Sequence, residues 1–82
     1  MYKVAAVGDK DSVMGFLALG IDIFPVYDAD EVRKTINRLA EDEYAIIYIT
    51  EQLAVGIPAD IAKYNEVPSV AVIPIPSKDG SL

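Results

Sequence analysis

The first twenty-two residues hold the feature that most constrains the fold, which is a strand-like run followed by a turn and an apolar helix. Residues 2–7 are apolar apart from Lys3, and residues 8–12 form a turn segment with one glycine and two aspartates. Residues 13–19 then contain no polar side chain. A strand, a glycine-and-aspartate turn and a helix in this order are typical of the start of a β-α-β unit.

The rest of the chain repeats this alternation. Further strand-like runs occupy residues 21–27, 44–50 and 69–73, with helical patterns between them over residues 28–39 and 51–65. The pattern predicts an α/β fold of the flavodoxin- or receiver-like kind, in which a four-stranded parallel sheet of order 2-1-3-4 carries helices on both faces. We expect one domain over residues 1–76 and a polar C-terminal tail over residues 77–82.

The predicted strand order leaves part of one sheet face uncovered. The first helix crosses one face, whereas the second and third helices cross the other face. No helix is left to cover strands 3 and 4 on the side of the first helix. Because exposed apolar patches of this kind mark interaction sites, we expect a partner there and possible self-association of the isolated chain.

Composition excludes several classes of function. The 82 residues include no cysteine and no histidine, which excludes disulfides and thiol catalysis and argues against zinc. Thirteen acidic against seven basic residues give a net charge of −6, which argues against a nucleic-acid partner. No apolar run approaches the roughly 20 residues that span a bilayer, and no signal-peptide pattern opens the chain, so we expect a cytoplasmic protein without direct membrane insertion.

Acidic residues follow the first two predicted strands, with Asp9 and Asp11 after the first and Asp28 and Asp30 after the second. Carboxylates at this edge of a doubly wound sheet could hold Mg²⁺. They could instead stabilise helix starts, with Asp11 and Asp28 as N-caps, and we favour this interpretation. A receiver domain would also need an aspartate where Thr50 ends the third strand, so phosphotransfer is not expected.

The pattern gives little support for a cofactor or for catalysis. Gly8 and Gly15 match neither the dinucleotide fingerprint nor the Walker A loop. Ser12 has no histidine anywhere in the chain to activate it. We therefore expect a protein that is not an enzyme and binds no cofactor; the alternative is a free-standing receiver-like signalling module or small-ligand module.

The first helix has no evident polar face, which is unusual for a surface helix. The helical period places Val13, Phe16 and Leu17 against the sheet. Four uncharged residues remain on the outer side as candidate partner contacts: Met14, Gly15, Ala18 and Leu19.

Two tyrosines of the third strand complete the candidate set. The period of a strand places Tyr44 and Tyr48 on one face together with Ile46 and Thr50. They are candidate partner contacts or, equally, core residues whose hydroxyls reach water.

Three segments also carry a resemblance to a known family. Residues 7–16 (VGDKDSVMGF) with 19–22 (LGID), residues 51–64 with Ile57-Pro58, and residues 72–76 (VIPIP) resemble the F subunit of the bacterial and archaeal V-type (A-type) ATP synthase. The resemblance covers essentially the whole chain. It implies a non-catalytic accessory subunit of the central rotor stalk, peripheral to the membrane, which pairs with the coiled-coil D subunit and other stalk subunits. It also implies a role in linking ATP turnover to proton or sodium ion transport.

The sequence departs from this family at one place. Members of the family continue past a segment like residues 77–82 into a C-terminal helix that lies along the stalk, whereas this sequence ends at Leu82. We therefore expect no residue of this sequence to supply the contacts of that helix.

Overall fold

The computed structural model describes residues 3–77, which form an α/β fold of alternating strands and helices. The strands are β1 (Lys3–Gly8), β2 (Asp22–Pro25), β3 (Tyr44–Thr50) and β4 (Ala71–Ile75). The helices are α1 (Lys10–Leu17), α2 (Ala29–Glu41), α3 (Glu51–Ala54) and α4 (Pro58–Asn65). The predicted tail lies outside the described residues from position 78 onward, and so does Tyr2 of the first predicted strand.

The four strands form one parallel sheet in the order β2-β1-β3-β4, as the sequence predicts. Both edge strands contain a proline, Pro25 in β2 and Pro74 in β4. An edge position tolerates a proline because the missing N–H need not serve a second neighbour. For the same reason β4 continues through Pro74 to Ile75, whereas the apolar run predicts that it ends at Ile73.

One face of the sheet is covered by α2 and α4, which also bind each other. The Tyr64 hydroxyl donates a hydrogen bond to Asn37, and the Arg33 Nε donates to an Asp60 carboxylate oxygen at 2.8 Å. Beneath these helices lies the main buried cluster, which includes Val32, Ile36, Leu39, Ile47, Ile49, Tyr64 and Val72. Most of the hydrophobic stabilisation therefore comes from this face.

The opposite face carries α1, which packs against β1 and β2. Val13 is fully buried, and the Phe16 ring stacks on Tyr48 with centroids 5.6 Å apart, as expected for the inner side of this helix. Leu17 is less buried than the helical period predicts, because 56% of its surface is exposed. It is the last residue of α1, where the described residues cover less than half of its surface.

Capping explains where two helices begin. The Asp28 carboxylate accepts a hydrogen bond from the Glu31 N–H at 2.8 Å, which confirms Asp28 as the N-cap of α2. The N-cap of α1 is Asp9, not Asp11, because Asp9 accepts from the Ser12 N–H at 3.1 Å. This helix therefore begins at Lys10, earlier than its apolar residues suggest.

The third helical segment consists of two helices. The short helix α3 ends at Ala54, and α4 starts at Pro58, where a proline needs no hydrogen-bond partner for its nitrogen. Together α3 and α4 connect β3 to β4 on the side of α2.

Candidate protein-binding surface

The outer side of α1 is an uncharged surface that faces away from the sheet. Met14 and Leu19 are 45% and 72% exposed, and Gly15 and Ala18 are also exposed. The four residues are thus exposed, as the sequence predicts, although Ala18 and Leu19 lie just after the last residue of α1. Leu17 extends the same surface, although the sequence pattern assigns it to the core. We call these five residues the α1 surface.

A second apolar strip lies on the same sheet face, over β3 and β4. Tyr48, which stacks beneath Phe16, is paired in register with Ile73 of β4. Ile73 is 41% exposed, Ala71 is exposed, and Tyr48 itself is half-buried. The uncovered region that the strand order predicts is thus present in the structure. We call these three residues the β3–β4 strip.

Tyr44 and Tyr48 do not share a face, in contrast to the sequence-based expectation. The pairing shifts at the start of the sheet, where Lys3 pairs with Tyr44 but Val4 pairs with Ile46. This irregularity places Tyr44 in the cluster under α2, because one extra residue in β3 reverses the side on which its side chain lies.

The environment of Tyr44 is that of a core residue. Its ring meets Phe24 edge-on at 6.0 Å, and its hydroxyl donates a 2.7 Å hydrogen bond to Asp22. This bond to a carboxylate, together with burial, raises the pKa of Tyr44 to about 12. Since only 8% of the residue is exposed, it offers a partner much less surface than Tyr48 does.

The carboxylates at the strand ends serve helices rather than a common site. Asp9 and Asp28 cap α1 and α2, and Asp30 lies 3.3 Å from Arg33. The N–H of Glu31 lowers the pKa of the Asp28 carboxyl, as capping requires. Within residues 3–77 no group of three or more acidic side chains is placed to hold a metal ion.

Thr50 occupies the position at which a receiver domain would carry its phosphorylated aspartate. Its side chain is fully buried, and its Oγ1 has no hydrogen-bond partner within residues 3–77. It packs so tightly against Gly8 that a Cβ on this glycine would lie 2.4 Å from the Thr50 Cγ2. Gly8 is therefore required by a close contact between two strands.

No helix in the described part of the chain combines the length and the apolar character needed to cross a membrane.

Comparison with known proteins identifies the family. The sequence profile of the ATP synthase (F/14-kDa) subunit family matches residues 4–82. The V-type ATP synthase F subunit of Fusobacterium nucleatum is 56% identical over 82 residues, which are all of this chain and 78% of that protein. The corresponding protein of Clostridium perfringens is 52% identical over all of this chain and 79% of its own length.

An archaeal protein extends the comparison. The A-type ATP synthase F subunit of Methanocaldococcus jannaschii is 38% identical over 98% of this chain and 80% of its own length. The resemblance predicted from the sequence is thereby confirmed. The chain belongs to the ATP synthase (F/14-kDa) subunit family and is one of the subunits of a V-type or A-type ATP synthase.

Proposed function

We propose that this chain is a non-catalytic subunit of the central rotor stalk, that it binds the coiled-coil D subunit, and that it helps couple ATP turnover to proton or sodium ion transport. It would lie on the cytoplasmic side, peripheral to the membrane. Family membership supports the place in the complex. The rest of the proposal goes beyond that membership.

The observation that carries the proposal is the exposed, uncharged α1 surface. Gly15 and Ala18 present little side chain, so the backbone of a partner helix can approach α1 closely. Met14 and Leu19 on either side provide apolar area for burial. A centre depleted of charge is what stable protein interfaces show. Tyr48, half-buried beside α1, extends the proposed contact toward the β3–β4 strip.

The test is the substitution Ala18→Glu, measured by calorimetric titration against the purified coiled-coil D subunit. Ala18 is exposed in the described structure, so the free domain should keep its melting temperature. The new carboxylate would be buried without a partner in the complex, and affinity should fall at least about tenfold, or about 1.4 kcal/mol.

Ala59→Glu is the matched control, because Ala59 is also an exposed alanine but lies on α4, outside the α1 surface. The D subunit should bind this variant as tightly as the unchanged chain. Equal affinity of the Ala18 variant would place the contact elsewhere, and a collapsed melting temperature would show that Ala18 belongs to the core.

The sheet face that carries α1 and the β3–β4 strip should also cause self-association of the isolated chain. The β3–β4 strip is apolar; Phe16 of α1 stacks on Tyr48, but Ile73 and Ala71 remain exposed in the described structure. We expect sedimentation to show dimers at high concentration, and Ile73→Glu to restore the monomer. A clean monomer for the unchanged chain at high concentration would exclude this association.

A further inference from the structure

An apolar groove lies on the other side of the molecule, between α3, α4 and the end of β4. Its volume is about 390 Å³. One side of the groove is the face of α4 that carries Pro58, Ile61, Ala62 and Asn65. The remaining residues that line the groove are Glu51, Ala54, Val55 and Pro74. Val55 is 66% exposed at its rim. Nothing in the family comparison assigns a role to this groove.

The shape of the groove fits a helix better than a strand. The α4 face spans eight residues, about 12 Å of helix, so roughly two turns of a second helix can lie along it. Pro74 in the adjoining edge strand offers no N–H to an added strand, which opposes extension of the sheet at this point. The small side chains of Ala54 and Ala62 allow a partner backbone to come close.

The charged residues around the groove indicate which charge a bound helix would carry. Among the described residues that line it, only Glu51 is charged, and it lies at one end of α3. The nearest lysine of α4, Lys63, is held over the Tyr64 ring at 4.9 Å and does not line the groove. The chain as a whole carries a net charge of −6. A partner with a basic side chain beside Glu51 complements this arrangement.

We propose that this groove is a second docking site, which binds an amphipathic helix of another subunit of the ATP synthase. The small apolar residues of that helix face Ala54 and Ala62, and a lysine or arginine of that helix pairs with Glu51. This second site rests on the proposed place of the chain in the ATP synthase complex. It does not depend on contact between the α1 surface and the coiled-coil D subunit. The chain would then contribute one surface on each face of its sheet to the assembly.

The absence of native cysteine allows a direct accessibility test. Ala62→Cys places a thiol in the groove, and Ala59→Cys places one on the same helix outside it, since both alanines are exposed. Maleimide labelling is compared between the free chain and the assembled ATP synthase. We expect assembly to slow labelling at position 62 at least about tenfold and at position 59 less than about twofold, because a filled groove excludes the reagent.

Labelling of both variants at the same rate before and after assembly would overturn the proposal. Protection of position 62 in the free chain at high concentration, without a further change on assembly, would also overturn it, because a second copy would then fill the groove. A result at position 62 is independent of the Ala18 titration, so this proposal and the stalk contact can fail separately.

A charge-reversal pair tests the nature of the partner. Glu51→Lys and Glu66→Lys change the net charge equally, but Glu66 does not line the groove. For binding to ATP synthase assembled without this subunit, we expect Glu51→Lys to weaken affinity at least about tenfold and Glu66→Lys less than about twofold. Equal affinities of the two variants, both with unchanged melting curves, would overturn the assignment of a basic helix.

Discussion

The two faces of the sheet differ in how completely this chain covers them. The face under α2 and α4 holds nearly every fully buried large side chain, including Ile36, Leu39 and Ile47. The face under α1 has one helix of eight residues, and Met14, Leu17 and Ile73 remain 41–56% exposed on it. The face under α2 and α4 therefore supplies most of the buried core, whereas the face under α1 leaves more apolar area exposed.

This division follows from topology. In the order β2-β1-β3-β4, α1 connects the two strands at one end of the sheet, whereas the later helices return across the other face. On the α1 side the residues of the β3–β4 strip are apolar, although the described residues leave them partly or largely exposed. Substitutions of the same kind should thus cost more folding stability on the face under α2 and α4 than on the face under α1.

We call the sheet face under α2 and α4 the closed face and the face under α1 the open face. The largest expected effect is on the closed face. Ile47→Ala removes a fully buried side chain from the centre of β3 and should cost about 2–5 kcal/mol of unfolding free energy, because a cavity adds to the lost burial. Ile73→Ala removes the same atoms from a position that is 41% exposed on the open face, and should cost less than about 1.5 kcal/mol. Urea denaturation followed by circular dichroism measures both.

These two variants form a matched pair, because the chemical change is identical and only the face differs. Equal losses of stability would mean that Ile73 is packed as tightly as Ile47. The difference in packing between the two faces would then be contradicted. A change in the urea dependence of the unfolding free energy would instead point to an altered unfolded state.

A second prediction concerns the part of the α1 face that is tightly packed. Gly8→Ala would place a Cβ 2.4 Å from the Thr50 Cγ2, so the strands must move apart, at a cost of about 1–3 kcal/mol. Thr50→Ser removes that methyl group, and the double variant should recover part of the loss. Strict additivity of the two changes in a thermal denaturation cycle would show that this contact is not the source of strain.

A third prediction uses the ionisation of Tyr44 on the closed face. A tyrosine in the unfolded chain ionises near pH 10, whereas the bond to Asp22 raises the pKa of folded Tyr44 to about 12. The folded state thus holds this proton more tightly, and the resulting stabilisation is complete below pH 10 and is lost between pH 10 and about 12.

Denaturation curves between pH 8 and 12 should show this loss, and the difference between the unchanged chain and Tyr44→Phe should become smaller as the pH rises through this range. A difference that stays constant up to pH 12 would mean that Tyr44 ionises equally in both states. Absorbance of the tyrosinate group gives an independent titration of the folded protein.

The fold was predictable because its signals are local and repeated. The buried run at residues 44–50 matches β3 residue for residue, and Asp28 caps α2 as predicted. Alternation of strands and helices indicates a parallel sheet with right-handed crossovers, and the flavodoxin-like order 2-1-3-4 preferred among those it allows is the order observed. Pro25 lies in an edge strand, where a proline is tolerated.

The errors arose where a local pattern depends on distant structure. The side on which Tyr44 lies is decided by an irregular pairing with Lys3, which the sequence of β3 alone does not reveal. Leu17 fits the inner helical face by period, but α1 ends there without a neighbour above it. The groove beside α4 was missed because it is formed by three elements that are separate in sequence.

The smallest expected effect compares the two turns that lead from a helix into a strand. On the closed face Glu43 joins α2 to β3 with φ of 67°, and on the open face Gly20 joins α1 to β2 with φ of 78°. A side chain in this left-handed region costs about 1–2 kcal/mol, whereas the greater freedom of glycine in the unfolded chain costs about 0.5–1 kcal/mol. The strain outweighs the entropy of glycine, so Glu43→Gly should raise the free energy of unfolding by about 0.5 kcal/mol.

Gly20→Ala should lower the free energy of unfolding by a similar amount, since a Cβ there meets no atom within 4 Å and only the backbone strain remains. Thermal denaturation of both variants checks the signs, and a lower melting temperature for the Glu43 variant would show that this side chain stabilises the turn by more than its backbone strain costs.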